Sequence, residues 1–482
     1  MPLTILTDQN VKDILQSLDR EELLGLQASM RVALHEYATG TTASGSAAVN
    51  QPNRTVTESG NGTTTLFMPS TSSSGIGMKV VTLAAPPSKP DIDAPVLDAE
   101  ATTPQGALTL MGADGKPFGF LNAEEVTAFR TALASSLLIT RRTKVKTLTV
   151  FGTGKQAYWH VRLALLLRGP TIKKVHFINR DFNHRAAMCM KSFVGYDAAK
   201  KKAEGWFDTT FDLTSLKYGE IGRILKDHVR AADVIICTTP SSEPLFDHTI
   251  LTNTEGRRRA RLIIAIGSYK PHMIEVPPEV LAQAIKVHGP GFHFHKHAEE
   301  GGVIVVDTLA CIKEAGELVQ ASVPPDRTVE LGELVMLERI HTPLQEDESA
   351  IDDSPYDSST PDILSHNNEN HTPSSPDGVR SLAKAFREHG MESGSKSASV
   401  SRKSSFSRKS SFNLHSRSAS VSSLGGKRKR MQTEREDQMS RWLSGGNVIY
   451  KSVGMGLMDL VVGSDIIKLA REKNIGVTVD EF

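Results

Sequence analysis

The chain has 482 residues, with 56 lysines and arginines against 55 aspartates and glutamates, and a formal charge of +1. At roughly 100–200 residues per domain this is enough for two or three domains, and the balanced charge gives no case for wholesale nucleic-acid or membrane binding. The three cysteines, Cys189, Cys237 and Cys311, stand far apart with no CxxC pair, which excludes a disulfide framework or a cysteine zinc site and points to a reducing compartment. The opening MPLTILTDQN lacks a basic and an apolar region, and no apolar run nears the roughly 20 residues that span a bilayer. The expectation is a soluble, cytoplasmic protein.

In chain order, an N-terminal strand precedes Val11, Ile14, Leu15 and Leu18 at helical spacing, and a second helical run covers 21–37. Residues 38–62 are poor in apolar side chains and read as a mobile loop. Short strands follow between 79 and 122, with Asp114-Gly115 as a hairpin turn, and 123–140 returns to helix. The chain then alternates: strand 146–151, helix 155–168, strand 174–179, helix 182–194, strands 232–238, 261–266 and 303–306, and helix 308–320. Such alternation implies an α/β fold with a doubly wound parallel sheet of the Rossmann type. The antiparallel-looking N-terminal half implies a second domain.

Composition changes after residue 341. Glu346 to Asp377 carries nine acidic residues and no lysine or arginine, whereas Ser393 to Arg430 carries ten basic residues, no acid, and fifteen serines between 393 and 424. That stretch cannot bury enough apolar surface to offset its ordering entropy, so 342–446 reads as a disordered insertion. Beyond it, NVIYKSVGMGLMDLVV resumes a strand-then-helix pattern.

The strand KTLTVF runs into Gly152-Thr153-Gly154-Lys155-Gln156-Ala157 and an apolar helix. The first glycine suits the tight turn and the second the approach of a pyrophosphate. Ala157 allows close helix–strand packing, and the helix N-terminus offers amides and a positive dipole. At the end of the next strand, where an NAD site usually places an acid on the ribose, stand Asn179 and Arg180, with Arg185 one turn on. An arginine fork suits a 2′-phosphate, so NADPH is favoured over NADH.

GMKVVTL (77–83), VTAFRTALAS (126–135), FGTGKQAYWH (151–160), ADVIICTTPSSEPLF (232–246), IIAIGSYKPHM (263–273), VVDTLACIKEAGEL (305–318), LGELV (331–335) and YKSVGMGLMDL (450–460) occur in this order. On these stretches the chain resembles the ornithine cyclodeaminase/mu-crystallin family. The resemblance implies a homodimer whose dimerisation domain takes 1–140, 326–341 and 447–482, around a Rossmann domain at 141–325. It also implies that Arg54, Lys79 and Arg130 bind the carboxylate of a small imino- or amino-acid substrate. Lys79 then serves as the catalytic group, polarising an imine or carrying a proton. Thr238, Thr239 and Pro240 line the nicotinamide side, and Gly267 is a further cofactor-binding residue.

Two departures bear on activity. Tyr269 stands where family cyclodeaminases carry a catalytic aspartate, and Leu66 where they place a glutamate. The resemblance therefore implies the reductase branch: NADPH-dependent hydride addition to the C=N carbon of a cyclic ketimine carboxylate. An ornithine cyclodeaminase, an amino-acid dehydrogenase and a non-catalytic NADPH- or ligand-binding protein remain as alternatives. Asp307 suits a helix cap as well as it suits chemistry.

Other signals are weaker. His288, His293, His295 and His297 crowd one segment without a completing acid or cysteine, so no metal site is expected. Arg257 to Arg259 with Arg261 reads as a solvated edge. In RKSSFSRKSSF and HSRSASVSS, serines follow basic residues as basic-directed kinases prefer, making a kinase or phospho-reader a candidate partner. Lys427 to Arg430 is a candidate nuclear import signal.

Overall fold

The computed structural model describes residues 2–40, 49–60, 62–83, 105–286, 298–337 and 436–482. The histidine-rich segment, the serine-rich kinase motifs and Lys427–Arg430 lie outside the described residues. So does the expected insertion, except for its end.

Two sheets organise the chain. The first has seven strands in the order β15-β1-β6-β5-β4-β3-β2. Here β1 is Leu3–Leu6, β2 Thr55–Glu58, β3 Thr64–Ser72, β4 Gly75–Leu83, β5 Gln105–Met111, β6 Pro117–Asn122 and β15 Val477–Val479. All its pairs are antiparallel except β1–β6. Both chain ends thus meet in one sheet, as β1 pairs with β15. The expected loop at 38–62 is corrected at Thr55–Glu58, which forms edge strand β2. Its polar, exposed TVTE pattern carries no core signal, and pairing with β3 supplies the order.

The second sheet has eight strands, all parallel, in the order β13-β12-β14-β11-β10-β7-β8-β9. They are β7 Thr147–Phe151, β8 Lys174–Asn179, β9 Thr210–Ser215, β10 Val234–Cys237, β11 Leu262–Ala265, β12 Ile304–Val306, β13 Thr328–Glu330 and β14 Val448–Lys451. Alternate residues enter opposite cores: Val234 and Ile236 join one apolar cluster, Ile235 and Cys237 the other. Burial on both faces is what makes β10, β11 and β12 continuous apolar runs.

Three domain assignments change. Thr328–Glu330 and Val448–Lys451, expected in the dimerisation domain, are strands of the parallel sheet. Residues 436–445, expected in the insertion, are helical and bury Met439, Trp442 and Leu443. Their i, i+3, i+4 spacing is an apolar stripe hidden behind a charged stretch. Arg142 donates to the carbonyls of Leu443 and Gly446 at 3.1 and 2.8 Å, tying this helix down. The arginine edge is also corrected. Arg261 is buried and donates to the carbonyls of Gly256, Arg259 and Arg230, and Arg259 pairs with Asp233 at 2.6 Å.

Helices α1 (Asp8–Ser17) and α2 (Arg20–Thr39) both start in capping boxes, Thr7 with Asn10 and Asp19 with Glu22. Helix α3 (Ala123–Arg141) is buried on nearly every side because it stands between the two sheets. It packs on α4 (Lys155–Arg168) and on the C-terminal helix Gly456–Glu472. Phe129 of α3 meets Trp159 of α4 edge-to-face at 5.2 Å, both fully buried. Phe129→Ala should therefore lower unfolding free energy by about 3–5 kcal/mol, read from the denaturant midpoint. No helix among the described residues is long and apolar enough to cross a membrane.

Candidate functional site

The site lies where the carboxyl ends of the parallel strands face α3, β4 and the C-terminal helix. At the glycine turn, Gly152 has φ +101°, and a Cβ there would stand 2.8 Å from Thr238 Oγ1. Glycine is required for both reasons. Gly154 has nothing within 4 Å of a Cβ position and caps α4 without a side-chain hydrogen bond. The turn thus offers open space before a helix N-terminus, which fits a dinucleotide pyrophosphate. Thr153 and Ala157 are buried at the turn. The Lys155 ammonium is engaged by Glu125 at 2.5 Å and Glu124 at 2.7 Å, so its part in the turn falls to its backbone. The Gln156 side chain lies against Thr127 of α3.

At the end of β8, Asn179 donates to the Asp181 carbonyl at 2.8 Å and closes the following turn. Arg180 is exposed there, and exposed Arg185 is on helix α5 (His184–Val194), which Asn183 caps. Thr238 donates to the Phe151 carbonyl at 2.8 Å, fastening β10 to the glycine turn. A Cβ on Gly267 would fall under 3 Å from the Thr239 backbone, so the loops after β10 and β11 touch only because 267 is glycine. Pro240 is exposed beside them.

Facing these loops is a buried cluster of charge. Lys79 of β4 has its Nζ 2.6 Å from Asp459 Oδ2, and Arg130 of α3 donates through Nε to Asp459 Oδ1 at 3.2 Å. Lys79 is 2% exposed, Arg130 4% and Asp459 0%. The Arg130 guanidinium rests on the Gly454 backbone, which has φ +86° and no room for a Cβ. Burial pushes the Lys79 ammonium down to about 8; Asp459 opposes the shift, and Arg130 and Arg54 add to it. Arg54 pairs with Glu314, across from the first sheet. Tyr269 is half-buried close enough to feel the Arg54 charge, although burial, the larger effect, raises its phenol. Arg54, Lys79, Arg130 and Tyr269, far apart in sequence, therefore share one site.

Asp307 anchors the wall of this site. Its Oδ2 accepts from Ser452 Oγ and from the Val453 and Gly454 amides at 2.8, 3.1 and 2.6 Å; its Oδ1 accepts from the Thr308 amide at 3.0 Å. All of Asp307's acceptor capacity is spent on positioning.

No family model matches the chain. A Delta(1)-pyrroline-2-carboxylate reductase of Bacillus cereus is 28% identical over 229 residues, 46% of this chain and 59% of that protein. An uncharacterised cyclodeaminase of Dictyostelium discoideum is 30% identical over 162 residues, 31% of this chain and 41% of its own. The chain spans 41–63% of the length of the first curated relatives it matches. The solved Delta(1)-pyrroline-2-carboxylate reductase of Thermococcus litoralis, in complex with NADH and L-proline, shares the fold. Its TM-score is 0.55 at 15% identity, over 99% of this chain and all of that one. The curated relatives are named as a cyclodeaminase and as pyrroline-2-carboxylate reductases, in line with the resemblance to the ornithine cyclodeaminase/mu-crystallin family.

Sequence reasoning missed Asp459, the carboxylate that holds both Lys79 and Arg130. The signal was present: Asp459 is an acid in the apolar run GLMDLVVG, the complement of Arg130 on its apolar helix. Glu314 and the buried Glu275, Glu317 and Lys451 also went unread. His160 of α4 lies within the motif FGTGKQAYWH. It is buried between Ser135 Oγ at 2.9 Å and the Gln156 carbonyl at 2.7 Å, and burial pushes it down to about 4, so it is a neutral link between helices. Ligand atoms of His176, Asp212 and His228 lie within 4.8 Å of one another. The two rings stack at 3.9 Å and 19°, so their lone pairs lie in separate, nearly parallel planes rather than converging on one point.

Proposed function

We propose that this protein is an NADPH-dependent reductase of a small imino acid, adding hydride to a C=N carbon beside a carboxylate. The observation that carries the reading is the buried Lys79–Asp459–Arg130 cluster facing the glycine-turn sheet, with Tyr269 where a cyclodeaminase aspartate would stand. Three cations near one another share Asp459 and Glu314, leaving positive charge to hold a substrate carboxylate. Arg130 and Arg54 orient that carboxylate. Lys79, held by Asp459, gives its proton to the imine nitrogen as the C=N bond becomes an amine. Tyr269 supplies no carboxylate where the resemblance places the cyclodeaminase base, so ammonia release lacks that group.

When bound, the nicotinamide cofactor supplies the hydride, two electrons to the imine carbon. Gly152 and Gly154 make room for its pyrophosphate, and Arg180 with Arg185 favours the 2′-phosphate form. The resemblance also supports a homodimer; Val56, Phe120 and Val477, exposed on the first sheet, are apolar surface for such a contact.

Because the ammonium form of Lys79 is the acid, its available fraction falls tenfold per pH unit above its pKa. Imine reduction should therefore lose kcat/KM as pH rises through about 8, and the reverse amine oxidation should gain it. The direct test is NADPH oxidation against a panel of cyclic ketimine carboxylates, run beside ornithine with ammonia detection. Turnover on a ketimine, lost in Lys79→Ala, is the expected result. Ammonia from ornithine, or cofactor binding with no turnover across the panel, would overturn it.

A further inference from the structure

Behind the loops after β10 and β11 lies a second buried charge network that the proposed reduction leaves unused. Glu275, with no exposure, accepts from the Thr239 amide at 2.7 Å through Oε1. Through Oε2 it accepts from the Gly267 and Ser268 amides at 2.6 and 3.2 Å. Glu317, on the short helix Gly316–Gln320, accepts from the Glu275 amide at 2.9 Å and from Ser268 Oγ. Lys451, at the end of β14, lies 3.2 Å from Glu317 and donates to Ser268 Oγ. Glu317 and Lys451 are each 1% exposed. Two carboxylates thus face one ammonium, at the ends of three neighbouring strands.

Burying a carboxylate is costly unless donors surround it, and Glu275 spends both oxygens on backbone amides of two different loops. A glutamine of the same shape would turn an NH2 toward one of those N–H groups, donor against donor. The loops so held are those of Thr239, expected on the nicotinamide side, and of Gly267, expected to bind the cofactor. The oxidised nicotinamide ring is cationic and the reduced ring neutral, and an excess carboxylate in a low-dielectric setting favours the cation.

We propose that Glu275 is a positioning residue of the cofactor pocket, whose carboxylate clamps the Thr239 and Gly267 loops together and favours oxidised over reduced cofactor. This inference rests on the dinucleotide reading above and extends it.

The test is dissociation constants of NADP+ and NADPH for the full chain and for Glu275→Gln, measured by calorimetry at about pH 8.5. At that pH the carboxylate is ionised, since burial pushes it up to about 7 against the opposing pull of Lys451, with Glu317 adding to the rise. The variant should lose NADP+ affinity about 10-fold or more, with NADPH weakened several-fold less. A merely structural lesion would weaken both alike. In the wild type, lowering pH through about 7 should move the NADP+/NADPH ratio the same way. The charged or titratable groups facing Glu275 there are Glu317, Lys451 and the Cys237 thiol of β10, which burial holds well above its ordinary value. Should Glu275→Gln fail to fold, this wild-type pH dependence decides. An unchanged ratio in the variant, or no pH dependence in the wild type, overturns the proposal. Wild-type protein that binds neither dinucleotide overturns the cofactor reading itself.

Discussion

Asp459→Ala should unfold the protein more readily by about 3–5 kcal/mol, and should lower kcat in whatever folded protein remains, because Lys79 and Arg130 lose the carboxylate that positions them. Lys79 and Arg130 are both buried and both lean on this carboxylate, at 2.6 and 3.2 Å. Removing it leaves an ammonium and a guanidinium against each other in a setting nearly free of water. Denaturant unfolding of the full chain checks the first part. If the loss comes from stranded charge rather than lost packing, Lys79→Met combined with Asp459→Leu should recover part of the stability while remaining inactive. A loss below about 1 kcal/mol in the single variant would mean that the two cations find other partners.

Arg180→Ala should weaken NADPH binding about 10-fold to 100-fold and leave NADH within about twofold. A charge-assisted hydrogen bond to the 2′-phosphate is worth about 1.5–3 kcal/mol, and NADH has no group to make it. Arg180 is exposed at the end of β8, so the substitution disturbs no packing. Equal weakening of both cofactors would assign Arg180 to the adenine or the loop rather than to the phosphate.

Local pattern carried much of the parallel sheet. The β7–Gly152–α4 unit needs a buried strand, a left-handed turn residue and a helix start, all adjacent in sequence, and each leaves a mark in residue type. Helix α4 begins and ends where periodicity places it, at Lys155 and Arg168. The expected helix 308–320 breaks into Cys311–Glu314 and Gly316–Gln320 at Ala315, which is extended, and Gly316 beside it packs so close to the Met273 carbonyl that no Cβ would fit. No local rule anticipates a contact with a loop some forty residues earlier. Strands β2 and β9 were missed for a related reason: TVTE and TFDLTS are edge sequences whose order comes from one neighbouring strand.

Arg130 and Lys79 were readable singly, since a charge on an apolar element must be satisfied or used. By itself the amino-acid sequence determined the α/β class, the glycine turn with its space for a pyrophosphate, the missing acid at the end of β8, and the cations that suit a carboxylate. Those properties reside in consecutive residues and in the cost of burying charge. Only the tertiary structure decided what satisfies the cations and what lies behind the cofactor loops. It brought Asp459 from the C-terminal helix to Lys79 and Arg130, put β14 between β11 and β12, and set Glu275 beneath Thr239 and Gly267. These pairings join residues tens to hundreds of positions apart. Their energies exist only once the helices and sheets have excluded water around them, so no local pattern of residues records them.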